Sequence, residues 1–424
     1  MGMDTLVRDG APQTWITVGS RIRTDRVIAA ISGNRITLDV PMSDSIDASL
    51  LKPPGGSLIK YTFAGRTSQV GIEHLSIAAP PADTNISMAE FQAISMSKLI
   101  DGWVQDVIAH DTDNTMTIGG GTKRITFDRV AVTHSVPFTN AAGPADFAVS
   151  GTQILLNECS STGNDGVWPF VSQAEVTGPV VPLNCSADSR GFAPHQRWAT
   201  GLLADGCHFP GGTSGTQGIA YSDRGTDGSG QGWDAGWAVA WNVTSPYFLV
   251  QEPPGADNWG IGCIGTETTG GAPGGPSRLP NGIYDSLGTP VTPSNLYLQQ
   301  LCDRLGQSAV ANIGYAGACS GSPAQIVLTQ KLSRDPQNNI VVDLTIANDG
   351  GTAARTTHLT IAKIGLTAAY FIPQDPVDVP AGSLVSTVLL FPASAGSAGT
   401  NTTLSIGGLY AGGSFTFTSR VTLP

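Results

Sequence analysis

Charge is scarce in this chain: only 13% of its 424 residues are Asp, Glu, Lys or Arg. Helical bundles, which rely on Glu, Lys, Ala and Leu, are disfavoured by that texture. Basic residues are the scarcer sign, 22 against 33 acidic, for a net charge of −11. Nucleic acid is therefore not an expected partner, since phosphates demand clustered Lys and Arg. An anionic sugar stays open, because a local arginine can act inside an acidic whole. No apolar run reaches the ~20 residues of a membrane span. The start, MGMDTLVRDGAPQTW, lacks the apolar stretch of a leader peptide. HExxH, CxxC and calcium-loop patterns are missing, and the six histidines are scattered, so no metal or other cofactor is expected. HDTDN at 110–114 could hold Ca²⁺ but reads better as an Asx-rich turn. The six cysteines form no close-spaced framework.

Glycine (53) and proline (28) are plentiful, which suits an all-β protein with many tight turns. The length exceeds a usual single core, so two domains or an elongated solenoid are expected.

Short alternating stretches recur: VGIEHLSI, GWVQDVIA, RITFDRVAV, ILLNECSS, VVPLNCSA, LLADGCHF, AVAWNVTS and WGIGCIGT. Aligning them puts Leu75, Val107, Val130, Cys159, Cys185, Cys207, Val243 and Cys263 at one position, at intervals of 20 to 36 residues. That spacing predicts a parallel β-solenoid whose rungs stack about 4.7–4.9 Å apart. The four cysteines then form an interior stack of small side chains, with disulfides between adjacent rungs as the rival reading.

Counting back 12 residues from the shared position gives Gln173, His195, Gln231 and Gln251; counting back 10 gives Glu175, Arg197, Trp233 and Pro253. Positions two apart on a strand share a face, so the columns should adjoin. Trp168 and Trp198 are expected on the loop side near them, while Trp103 and Trp241 alternate into the rung.

TGGAPGGPSRLPNG, from residue 268, reads as a loop leaving the rungs. SNLYLQQLCDRLG (294–306) has leucines at helical spacing between a capping Ser294 and a terminating Gly306. Cys302 and Cys319 are close enough for a local disulfide; buried or free thiols are the alternative. QIVLTQKL, NIVVDLTIAND, THLTIAKI, SLVSTVLLF, TTLSIGG and SFTFTSRVTL then read as six strands of a β-sandwich. The expected domains are residues 1–275, a linker at 276–322 carrying the helix, and 323–424.

These rungs, with GNRITLDVPM, HQRWATG, SGQGWDAGWAVAWN and VQEPPGADNWGIGC, resemble the pectin-lyase-like superfamily of right-handed parallel β-helices, and in particular secreted bacterial pectate lyase superfamily proteins. The tail resembles the CARDB or immunoglobulin-like modules of bacterial exoenzymes. The resemblance implies a right-handed parallel β-helix, N-terminally incomplete, followed by a β-sandwich. It also implies a secreted monomer whose partner is an extracellular polysaccharide. Polygalacturonases would bring Asp-Asp, Gly-His-Gly and Arg-Ile-Lys; here Ser229-Gly230-Gln231-Gly232 stands in place of the histidine motif and the other two are absent, which argues against that mechanism.

Three functions are open. A polysaccharide lyase, the leading one, needs a carboxylate clamp, a base and an acid. Arg197 suits the clamp, His195 the base, Tyr221 the acid, and Glu175 could orient either of the first two. A glycoside hydrolase needs two carboxylates, with Asp227 and Asp234 among the candidates. A binding module would use Trp168, Trp198 and Trp233 as sugar platforms, with Gln173, Gln231 and Gln251 supplying hydrogen bonds. The nulls are a structural Glu175–Arg197 pair, a surface His195, and acids that only cap loops. Asn85, Asn242 and Asn401 head glycosylation triplets, which matter only in a eukaryotic secretory route.

Overall fold

The computed structural model describes residues 7–8, 11–47, 55–88, 90–163, 165–211, 216–268, 279–316, 318–319, 323–373, 375–411 and 413–424. Strands make up 46% of it, with one α-helix. The expected exit loop after residue 268 and the boundary at 275 lie outside the described residues. The chain divides into two compact units, Met1–Asn295 and Leu296–Pro424.

In the first unit, segments distant in sequence pair in parallel. One long sheet runs from Thr67–Ser68 through Leu99–Gln105, Lys123–Asp128, Thr152–Asn157, Thr177–Leu183, Ala199–Asp205, Ala238–Trp241 and Asn258–Ile261 to Ile283–Asp285. The register aligns Gln105, Asp128, Asn157, Leu183, Asp205, Trp241 and Ile261 across it. Two residues further along each segment lie Val107, Val130, Cys159, Cys185, Cys207, Val243 and Cys263, each 0–1% exposed. Leu75, at the edge of this row, is 45% exposed.

One left-handed residue per repeat turns the chain just before that row. His74, Asp106, Arg129, Glu158, Asn184, Gly206, Asn242, Gly262 and Ser286 have φ between 49° and 65°. Asparagine and glycine adopt this conformation readily; the other side chains bear a cost of roughly 1–2 kcal/mol each, offset by the pairing on either side. Beyond the bend, Ser76–Ala78, Ile108–His110, Ala131–Thr133, Ser160–Thr162 and Ser186–Ala187 form a second parallel sheet. A third holds Ile94–Met96, Met116–Ile118, Ala145–Val149 and Trp168–Ser172.

The four cysteines are free and buried. Each thiol lies 3.2–3.6 Å from a carbonyl of the preceding repeat, Phe127, Leu156, Pro182 or Ala240. Beside them, Phe127, Phe147, Phe170 and Phe209 pack ring to ring with centroids 5.1–6.1 Å apart. Trp103, expected in the core, points outward and is 36% exposed, because its neighbour Val104 takes the inward position. Trp241 is half-buried and donates to the Pro293 carbonyl.

In the second unit, the helix spans Leu296–Asn312 with Gly306 non-helical inside it (φ 79°). Gly306 therefore interrupts the helix as its sequence position suggests, but a further helical stretch follows where an end was expected. Cys302 and Cys319 are disulfide-bonded, Cα atoms 5.7 Å apart. The six expected strands lie in two antiparallel sheets. One holds Ile326–Arg334, Ile340–Asn348 and Leu384–Phe391, the other Ala354–Ile364, Asn401–Tyr410 and Gly413–Thr422 with shorter strands. Side chains of both, among them Val342, Leu389, Leu404 and Ile406, share one apolar cluster.

Candidate functional site

The polar columns fall at the corner where the third sheet hands the chain to the long sheet. Backbone bonds run across it from repeat to repeat: Gln173 N to Val149 O (2.7 Å), His195 N to Ser172 O (2.8 Å) and Arg197 N to Gln231 O (3.0 Å). Gln173, His195 and Gln231 form a side-chain row. His195 Nδ1 lies 2.9 Å from Gln173 Oε1, and His195 Nε2 lies 3.5 Å from the Gln231 amide nitrogen. The glutamine oxygen can only accept, so Nδ1 carries the proton and Nε2 the lone pair. Burial, then the charges of Arg224 and Arg197, push the imidazole down to about 4, with Asp227 opposing them.

Two arginines hold the row's flank. Arg197 donates through Nη2 to Ser229 Oγ (2.8 Å), while its buried Nε has no hydrogen-bond partner among the described residues. Arg224 donates to the His195 carbonyl (2.9 Å) and to Asp227 Oδ2 (2.6 Å). Arg224 and Arg190 both sit at the Trp168 ring, 5.3 and 4.0 Å from its centroid. Burial, then Arg224, lowers the Arg190 pKa, so positive charge is concentrated here. Glu175 and Arg197 form no ion pair; Glu175 N instead donates to the Arg197 carbonyl (2.9 Å).

Several expected site residues are elsewhere. Tyr221 is in the core, 0% exposed, and donates to the Val239 carbonyl, so it cannot reach a leaving group. Trp198 (3%) and Trp233 (1%) are buried with Trp15, Ile16 and Ala256, and are no sugar platforms. Trp168 is half-buried against Arg190 instead of lying bare. Asp234 is a clamp at the base of the 222–234 loop: it accepts from Ser222 N (2.7 Å) and Ser222 Oγ (3.1 Å). Burial pushes its carboxyl up to about 8. Gln251 is 2% exposed and accepts from Asp223 N instead of joining the row. Asp227, half-buried, is the acid of Arg224.

The sequence reading gave the N-terminal segment no part in the site. Asp44 accepts from the indole nitrogens of Trp198 (2.8 Å) and Trp237 (3.1 Å). Arg26 donates to Gly178 O (2.7 Å) and Thr152 Oγ1 (3.2 Å). Lys123, 1% exposed, reaches Asp25 (3.1 Å), which also pairs with Arg66 (3.0 Å). Burial would raise the Asp25 carboxyl, but hydrogen bonds from Tyr61 and Lys123 hold it below the usual range. None of these contacts repeats among the described residues, so periodicity could not signal them. Arg190 and Arg224 had a weaker signal, both lying in the arginine-bearing stretches around His195 and the following loop.

Between this segment and the corner are two adjoining clefts. The larger, about 620 Å³, is lined by Gly19, Arg21, Arg23, Gly120, Ser150 and Glu175. The smaller, about 110 Å³, includes Asp25, Thr152 and Glu175. HDTDN ties loops together: Asp113 accepts from Thr84 Oγ1, Glu90 N and Phe91 N, and Asp111 from Ser135 N. Among the described residues no three His, Cys, Asp or Glu gather as metal ligands, and no helix is long and apolar enough to cross a membrane.

The chain matches no known protein family, no curated protein and no solved structure.

Proposed function

We propose that the first unit is a right-handed parallel β-helix similar to the pectin-lyase-like superfamily, carrying a C-terminal immunoglobulin-like β-sandwich, and that it cleaves an acidic extracellular polysaccharide by β-elimination. The observation that carries this reading is the His195 imidazole, its Nδ1 proton held by Gln173 and its flank lined by Arg197 and Arg224. A uronate carboxylate between the two guanidiniums stabilises negative charge developing at C5. His195 Nε2 takes the C5 proton, C4=C5 forms as the C4–O bond breaks, and the departing oxygen takes a proton from solvent. Burial depresses the imidazole first and the two cations second; a carboxylate that neutralises the cations removes their share, so substrate raises the basicity of His195 on arrival. The same reading makes the protein a secreted monomer without a cofactor.

A glycoside hydrolase is the second reading, favoured by Asp25 and Glu175 lining one cleft. A polysaccharide panel followed at once by ultraviolet absorbance and by reducing ends separates them. Unsaturated product that disappears in His195→Ala supports elimination; reducing ends without absorbance sink it.

A further inference from the structure

The 620 Å³ cleft is open to solvent and lined mainly by polar surface, the form of a groove for an extended chain and not of an enclosed pocket. Its floor is the same corner that carries His195. Backbone bonds lead from Ser150 N to Ile118 O (2.7 Å), Gln173 N to Val149 O (2.7 Å) and His195 N to Ser172 O (2.8 Å), one repeat after another. At the 4.7–4.9 Å rise between parallel strands, Gly119, Ser150, Gln173 and His195 span about 14 Å, with Gly120 next along the chain. A chain of sugars laid along the corner from His195 therefore runs into the cleft. Small residues, Gly120 and Ala174 among them, keep that floor low.

The opposite wall is the 19–26 segment, and it is fastened down. Arg26 grips Gly178 O and Thr152 Oγ1, Thr177 Oγ1 donates to the Arg23 carbonyl (3.3 Å), and Asp25 is held by Lys123. Arg21 and Arg23 on the same segment are exposed and enter no ion pair with a described residue. A rigid wall bearing two unspent guanidiniums faces Glu175 and Ser150, which can take sugar hydroxyls.

We propose that this segment is the second wall of the binding groove and that Arg21 and Arg23 select saccharides bearing carboxylates two to three repeats away from His195. The proposal rests on the polysaccharide reading above and adds the residues that set its charge preference. These arginines do no chemistry; they fix the register of the polymer. A planar guanidinium matches a carboxylate edge-on, and two of them give the cleft a preference that amides and hydroxyls alone would lack.

The test is calorimetric binding of uronate hexasaccharides and neutral hexasaccharides to the full chain, with turnover measured in parallel. Arg21→Ala/Arg23→Ala is expected to lose tenfold or more in uronate affinity, to flatten its salt dependence, and to leave neutral binding and melting temperature unchanged. Gly120→Phe blocks the cleft from its floor, since a Cβ at Gly120 meets nothing within 4 Å, and should weaken hexamers far more than dimers. Uronate affinity unchanged in both variants, with turnover intact, overturns the cleft and spares the proposed reaction. Uronate bound tightly and lost in the double variant, yet never cleaved by the wild type, supports the cleft and sinks the reaction. A wild type that binds no uronate hexamer overturns both.

Discussion

Gln173 Oε1 and His195 Nδ1 lie 2.9 Å apart on neighbouring repeats, and that bond fixes which imidazole nitrogen is unprotonated. Replacing Gln173 with glutamate adds a negative charge at the same atom. The imidazole pKa, about 4 in the native protein, is expected to rise by about one unit or more in Gln173→Glu. Histidine NMR titration measures it. An unchanged titration shows the two side chains are not in contact in solution.

Stability should depend on pH through two opposing sets of groups. His195 is depressed in the fold to about 4, so its contribution is present above the unfolded value near 6.5 and is lost as pH falls toward 4. Asp234 is raised by burial to about 8, so its contribution is present at low pH and is lost as pH rises from about 4 to 8. His134 also ends raised: burial lowers it, but Asp146 at 3.0 Å more than compensates. Its share fades as pH climbs past its folded value. The melting temperature should therefore fall between pH 6.5 and 8, and Asp234→Asn should flatten that fall while His134→Gln flattens only part. A wild type whose melting temperature is level across this range contradicts the assignment.

The four free thiols should be silent toward a thiol reagent in the folded protein and all titrate in denaturant. They are buried, and burial together with the neighbouring thiols raises Cys185 well above its usual value. Enlarging one, as in Cys207→Leu, overfills a close-packed row and should cost about 1–3 kcal/mol. Rapid labelling of native protein is the outcome against it.

Asp44→Ala should loosen the N-terminal segment. It strips the acceptor from two indole nitrogens, Trp198 and Trp237, one of them on a buried ring. The expected loss is about 1–3 kcal/mol, read by denaturant unfolding with tryptophan emission as the probe. A change below about 0.5 kcal/mol, the range of ordinary surface substitutions, goes against it.

The inward row from Val107 to Cys263 is legible in the sequence because parallel pairing keeps one register at the row end of each segment, the irregularity between Thr177 and Val180 being absorbed before it. The Gln173–His195–Gln231 row follows from it by counting, since the chain between row and corner keeps its length there. Counting fails beyond Gln231. The 222–234 loop closes on itself through an antiparallel bridge between Asp223 and Trp233, which sets Asp234 against Ser222 and commits Gln251 to Asp223, while Trp233 is covered by Trp15 and Ile16 of the N-terminal segment. Tyr221 is lost to the core for a related reason: its strand pairs with Thr244–Val250, facing the interior. What the N-terminal segment covers is set by single contacts such as Asp44–Trp198, between residues 154 apart in the chain, and no period announces them.

Asn242 heads one of the triplets that oligosaccharyltransferases modify, yet its side-chain nitrogen is already committed to Val291 O (2.9 Å), Pro293 O (3.2 Å) and Ser294 O (2.9 Å). Its oxygen accepts from Val291 N (2.8 Å). Expression in a eukaryotic host sets a race at this residue. A glycan attached before folding leaves the 291–294 strap with nothing to fasten to, whereas a chain that closes first hides the nitrogen from the enzyme.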